Sequence, residues 1–331
     1  MRIVKSTLLG LAGFALLMGV SCGRYADAPE KMNEADARAA ELQAQKEAYD
    51  QALAAAQAST GEGQPALWTL KDEDTTLYIM GTVHLLRPDL DWRSEEIDGA
   101  LDAADTLVFE ADTTSQDAAS EMMQFIRTQG LFGDGRQLTS LLTDLEEEEL
   151  QKALDELNLP LGAIQPMRPW WAAVNLSVMQ IQKQGFDPNM GVEMVLEAEA
   201  REQGKSFAYL ETIEQQLGRL AGLPDDVQVD FLIGSVESIE EGADVLDMLV
   251  AEWVDGDVDG LALLMANPDM MGSTEVYDAL LRERNEDWVG KIAGMLDEPG
   301  TRLIAVGAGH LAGEDSVIAL LEQEGYEIEG P

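Results

Sequence analysis

Histidine is nearly missing from this chain, with two in 331 residues, His84 and His310. Cysteine is scarcer still. Cys22 stands alone, so no disulfide can close within the chain, and cysteine-rich metal centres and thiol enzymes have no residues to work with. Cations are few as well: 21 Lys and Arg face 63 Asp and Glu, a formal net charge of −42. A field of that sign repels phosphate, which argues against nucleic acid as a partner and against docking a protein face on anionic lipid. An acidic surface suits solubility and is by itself no evidence for a metal site. HExxH and P-loop patterns are also absent, which removes support for zincin and P-loop chemistry.

What is present starts with an export signal. Arg2 and Lys5 precede an apolar run over 8–20 that is too short for a spanning helix. Gly19-Val20-Ser21-Cys22 follows it. A lone cysteine there resembles a bacterial lipobox, with Gly19 where Leu is more usual. The expectation is a signal peptide over 1–21 and lipidation of Cys22. Gly23, in place of a retention-type Asp, points by resemblance to Gram-negative sorting rules to the outer membrane, facing the periplasm. The membrane partner is thus reached through a lipid anchor. Residues 29–58 are rich in Ala, Glu, Gln and Lys with few large apolar side chains, so 22–65 reads as a helical or flexible tether.

Residues 66–331 carry the folded domain. Two strands at 67–71 and 75–80 flank the acidic turn at 72–74, and further strands are expected at 106–110, 206–210, 301–306 and 326–329. Helices fall at 94–104, 115–128, 141–157, 169–184, 190–203, 213–252 (interrupted near 222–224), 257–266, 273–296 and 315–324. Strands separated by helices give an α/β (α+β) class, with a central mixed sheet surrounded by helices in one domain.

Four strands run into a chemically capable residue. The run ending at Met80 leads to Gly81 and His84; that ending at Val306 leads to Gly307 and His310. TLVFE ends on Glu110, and SFAYL leads to Glu211. Ligands of α/β sheets bind at the carboxyl ends of strands, so parallel strands would bring all four residues to one rim. Each histidine sits three residues after a glycine, where the missing Cβ lets the strand end turn or a ligand approach the backbone. Imidazoles beside carboxylates suit zinc, manganese, cobalt or iron. The plainer alternative is a pair of hydrogen-bonded turn histidines.

Other clusters have plainer readings. Asp255, Asp257 and Asp259 followed by Gly260 imitate the start of an EF-hand loop, but Ala266 stands where the bidentate Glu belongs, so Asp257 reads as a helix cap. Trp170, Trp171, Met190 and Met194 read as core, and Glu146 to Glu149 as a solvated helix face.

ALWTLKDEDTTLYIMGTVHLL (66–86), DTLVFEAD (105–112), GVEMVLEAEAREQGKSFAYLETIEQQL (191–217), LLRERNEDW (280–288) and IAVGAGHLAGEDSVIALLEQEGYEI (304–328) together resemble the TraB/GumN family, relatives of the Tiki metalloproteases. The two GxxH segments match its hallmark as Gly81/His84 and Gly307/His310. Glu110, Glu211 and the pair Arg284 and Asn285 fall on family motif positions, and Glu193 stands where the family often has Asp. The resemblance implies a fold similar to that of erythromycin-esterase-like and ChaN-like proteins. It implies a peptidase-like, metal-dependent hydrolase of a peptide or small molecule. His84, His310, Glu110 and Glu211 are then the metal or water-polarising set, one glutamate is the general base, and Arg284 holds a substrate carboxylate or oxyanion. Two alternatives stay open: a metal-free histidine–glutamate hydrolase, and a non-catalytic envelope lipoprotein that binds a peptide, metal or glycan.

Overall fold

The computed structural model describes residues 63–237, 242–265 and 273–331. The signal peptide, Cys22 and nearly all of the tether expected at 22–65 lie outside the described residues.

β1 (Leu67–Lys71) and β2 (Thr75–Thr82) form the expected hairpin. Asp72 closes it, its carboxylate accepting from the N–H groups of Asp74 and Thr75 at 3.1 and 2.8 Å, the local bonding that makes Asp a turn residue. α1 (Glu95–Ala103) starts at Ser94, whose hydroxyl accepts from the Ile97 N–H at 3.2 Å. It buries Ile97, Ala100 and Leu101, the three- and four-residue spacing of one helix face. β3 (Thr106–Phe109), α2 (Gln116–Phe125), α3 (Asp144–Leu157), α4 (Pro169–Lys183), α5 (Val192–Glu202) and β4 (Ser206–Tyr209) follow. After them come α6 (Ile213–Ala221), α7 (Asp225–Glu237), α8 (Gly242–Asp255), α9 (Val258–Met265) and α10 (Glu283–Gly294). β5 (Gly300–Gly307), α11 (Val317–Gln323) and β6 (Ile328–Glu329) complete the chain.

The sheet order is β4-β3-β5-β2-β1-β6. β4, β3, β5 and β2 are parallel, whereas β1 is antiparallel to both β2 and β6, so the sheet is mixed and the fold is α/β as expected. Parallel neighbours need crossovers, which is why helices separate these strands in sequence. Leu303 to Val306 of β5 are fully buried. Ile97, Leu101, Leu196 and Trp253 belong to one core cluster on the sheet, and Trp288, Ile292, Val317 and Leu321 to another. Burial on both faces explains the unbroken apolar run of β5, and each such side chain contributes roughly 1.5–3 kcal/mol. A third cluster holds α3, α4 and α7 together through Leu150, Leu154, Leu176 and Leu232.

Two departures from the expected elements bear on the site. The helix expected at 273–296 is broken by a π-helical turn, Asp278–Arg282, that ends just before α10; such wide turns recur beside functional residues. The helix expected from 315 begins two residues later, at Val317. Ser316 caps it, accepting from the Ala319 N–H at 3.1 Å, because the Asp315 carbonyl accepts from Asn285 instead. Asp257 caps α9 through the Gly260 N–H at 2.8 Å, the bond expected of a cap.

Candidate functional site

The parallel register brings the two GxxH segments side by side. Gly81 pairs with Val306 and Thr82 with Gly307, so both glycines stand at the carboxyl rim and their histidines follow just beyond it. β3 and β4 end at the same level: Phe109 pairs with Tyr209, and the Glu211 N–H donates to the Glu110 carbonyl at 2.8 Å. This is the crevice in which open α/β sheets hold ligands.

Gly307 lies at the centre. A methyl group built on it would sit 3.1 Å from Glu110 Oε1, 3.5 Å from His310 Cδ2 and 3.8 Å from His84 Nε2. Three of the candidate side chains thus converge on one point, and only a residue without a side chain leaves that point open. Gly81 serves a different end. Its Cβ would meet the Ala308 backbone at 3.0 Å, so it allows the two strand ends to approach. Trp253 fixes the same residue by donating from Nε1 to the Gly81 carbonyl at 2.9 Å.

Arg284 organises the buried half. Its Nη2 donates to Glu110 Oε2 and Glu211 Oε1, each at 2.5 Å, and its Nε to Glu211 Oε1 at 3.0 Å. Nη1 donates to the Leu280 carbonyl at 3.0 Å and lies 2.9 Å from His310 Nε2. The five N–H bonds of a guanidinium are all used, which leaves none for the substrate carboxylate or oxyanion that the sequence assigns to it. Asn285, the next residue, takes the other ring nitrogen. Its Nδ2 donates to the Asp315 carbonyl at 2.7 Å, so its Oδ1 faces His310 Nδ1 at 2.6 Å as acceptor. His310 therefore carries its proton on Nδ1 and accepts from Arg284 at Nε2. The Trp288 ring packs 4.3 Å from the imidazole and 4.7 Å from the guanidinium.

The charge states follow from these contacts. Burial pushes His310 down to about 3, with Arg284 and His84 adding to the effect against Glu110, so the ring is neutral. Burial opposes ionisation of Glu110, but the cationic groups around it and the Gly307 N–H at 2.7 Å outweigh that and hold the carboxyl down at about 2. Neutral His310 cannot supply the charge, so Arg284, with protonated His84 beyond it, provides the cations that count. Gln216 also donates to Glu110 Oε2, at 2.9 Å. Burial raises Glu211 against the pull of Arg284.

His84 stands on the open side, its side chain 62% exposed. Nδ1 lies 2.7 Å from Glu193 Oε1, and the Glu193 carboxylate lifts the ring to about 9. Thr82 donates to the same Glu193 oxygen. Gly191 packs so closely under the His84 carbonyl that a Cβ there would lie 2.2 Å from it, so the start of α5 is wedged against the histidine.

All six polar residues anticipated for the site, His84, Glu110, Glu211, Arg284, Asn285 and His310, lie at this rim, but with different partners. Glu110, Glu211, Arg284, Asn285 and His310 form one buried network, whereas His84 pairs with Glu193 across Gly307. Among the described residues no group of three or more His, Cys, Asp or Glu side chains could hold a metal ion. The reason lies in Arg284: its N–H groups occupy Glu110 Oε2, Glu211 Oε1 and His310 Nε2. The residues as arranged do not fit a divalent ion. Glu193, Thr82, Gln216 and the Leu280 carbonyl were not anticipated as partners. Thr82 stands inside the GTVH segment and Gln216 one turn into α6, yet neither carries a sequence signal of its role.

With the geometry in hand, comparison with known proteins gives the relationship. Residues 66–330 match the TraB/PrgY/gumN family. The chain belongs to that family. It is 26% identical to uncharacterized protein YbaP of Escherichia coli (strain K12), over 74% of the chain and 87% of that protein. It is 24% identical to Metalloprotease TIKI2 of Danio rerio, over 80% of the chain and 60% of that protein. No solved structure matches. The family span takes in both GxxH segments, Glu110, Glu193, Glu211, Arg284 and Asn285.

Proposed function

We propose that this chain is a peptidase-like hydrolase of the cell envelope, anchored by lipid at Cys22 and working on a peptide in the periplasm. The observation that carries the reading is the His84–Glu193 pair beside Gly307. Glu193 holds the proton on Nδ1, so in the neutral ring Nε2 is a free base directed at the open point where Glu110 and His310 also converge. In this reading Nε2 takes the proton from a water that attacks the substrate carbonyl and gives it to the leaving amine as the C–N bond breaks, while Glu193 keeps the ring oriented and, with the fixed negative charge of Glu110, stabilises the imidazolium that forms in between. The distant likeness to a metalloprotease supports peptide as the substrate class.

That likeness also supports a metal-dependent version, with zinc, manganese or cobalt held by His84, His310, Glu110 and Glu211. It would require Arg284 to withdraw from three acceptors at once, and the metal-free version requires no such movement. A peptide library incubated with wild type, His84→Ala and Glu193→Gln tests the reading. Wild type is expected to cleave and His84→Ala to lose the activity while remaining folded; a His84→Ala protein that cleaves like wild type sinks it. Metabolic labelling with palmitate, lost in Cys22→Ala, tests the anchor.

A further inference from the structure

A divalent ion in a site of this composition would gather lone pairs from Glu110, Glu211 and His310. Those lone pairs already have a common partner. Arg284 Nη2 bridges Glu110 Oε2 and Glu211 Oε1 at 2.5 Å each, and Nη1 lies 2.9 Å from His310 Nε2. We propose that Arg284 is the resident cation of the site, standing where a divalent metal would stand and keeping one out. The inference goes beyond the hydrolase reading, which rests on His84 and Glu193, and its test reads metal occupancy rather than turnover.

Three features make the guanidinium a fixture. It is buried, with 6% of its surface exposed. The Leu280 carbonyl, one turn earlier, accepts from Nη1 at 3.0 Å, and the Trp288 ring, one turn later, lies 4.7 Å from the guanidinium carbon. Withdrawal would break both contacts and leave two buried carboxylates unpaired, a strongly unfavourable state. Finally, Arg284 and Asn285 are neighbours on α10 and hold opposite nitrogens of His310. A helix shift that freed Arg284 would also disturb the imidazole needed as a metal ligand.

Charge points the same way. Two carboxylates and one guanidinium leave a single negative charge beside a neutral imidazole. Adding a divalent ion would leave the buried cluster positive, with two cations side by side. Arg284 cannot relieve this by losing its proton. An ion placed on the open side would find His84 Nε2 and Glu110 Oε1, the latter already accepting from Gly307 at 2.7 Å. Two such donors fall short of the three protein ligands usual in catalytic zinc sites.

The test is titration of the purified full chain with Co²⁺, read by d–d absorption and by metal content after desalting. Wild type is expected to retain substoichiometric cobalt with no d–d bands. Arg284→Gln, which frees the acceptors, is expected to bind Co²⁺ at least roughly tenfold more tightly, and Glu110→Gln in that background should abolish the gain. About one equivalent of cobalt on wild type, lost in Glu110→Gln or His310→Ala, overturns the proposal. So does equal affinity of wild type and folded Arg284→Gln. Should Arg284→Gln fail to fold, the wild-type titration decides alone. A peptidase that proves metal-free leaves both proposals standing, whereas a metal-free protein without turnover removes only the hydrolase reading.

Discussion

Glu193, at the start of α5, lies 2.7 Å from Nδ1 of His84, so the one exposed imidazole of the site is oriented by a carboxylate from another element. Glu193→Gln should therefore lower the ring's affinity for protons, because the charge that raises it to about 9 is removed. With His84 as the base, wild-type hydrolysis rises with pH towards about 9 and Glu193→Gln moves that limb to lower pH. His84→Ala loses about 10²–10⁴-fold in kcat/KM at the top of that limb, and the loss shrinks as pH falls and the wild-type ring protonates. An unchanged pH profile in Glu193→Gln would falsify the coupling.

Stability should vary with pH in a defined order. His310 titrates at about 3 in the fold against 6.5 ordinarily, and Glu110 at about 2 against 4.5. In those windows the unfolded chain binds more protons, so stability falls as pH drops. Glu252, buried beside Asp257, is raised from 4.5 to about 7 by burial and by that carboxylate, and His84 from 6.5 to about 9. There the folded chain binds more protons, so stability falls as pH rises. The His310 and Glu252 slopes oppose each other between 4.5 and 6.5, which predicts a plateau with losses on both sides. Thermal unfolding across pH checks it. Glu252→Gln should restore a rising slope within the plateau, and Glu193→Gln should flatten the alkaline limb, which exposure of His84 already weakens.

Arg284→Met leaves Glu110 and Glu211 buried without their cation. Urea denaturation should show a loss of about 3–5 kcal/mol, the usual cost of breaking a buried ion pair from one side. Glu211→Gln keeps an acceptor for Arg284 and should cost clearly less.

The two site glycines should behave differently on substitution by alanine. Gly307 has φ −50° and ψ 134°, which alanine adopts freely, so Gly307→Ala is expected to unfold close to wild type. Its methyl group fills the point 3.1 Å from Glu110 and 3.8 Å from His84, so turnover should fall sharply. Gly81→Ala presses on the Ala308 backbone at 3.0 Å and should cost about 1–3 kcal/mol of stability. Thermal unfolding and peptide cleavage on the same preparations separate the two cases.

Much of this was present in the linear order of residues. Alternation and apolar runs marked the strands, Ser94 and Asp257 marked helix starts, and the glycine before each histidine marked the strand ends. Those signals are local: a strand buried on both faces must be apolar along its length, and a cap must lie next to the helix it caps. Family motifs likewise gather Glu110, Glu211, Arg284, Asn285 and the two histidines in the linear sequence. What only the tertiary structure decided was which of them touch. Gly81 and Gly307 are neighbours because β2 and β5 pair in parallel. Glu193 reaches His84 because Gly191 lets α5 press against its carbonyl. Arg284 faces two glutamates and an imidazole, where the sequence alone allowed a substrate anchor among four metal ligands. Spacing along a chain carries no information on which lone pair a guanidinium will meet; that depends on how helix α10 seats on the carboxyl ends of three strands.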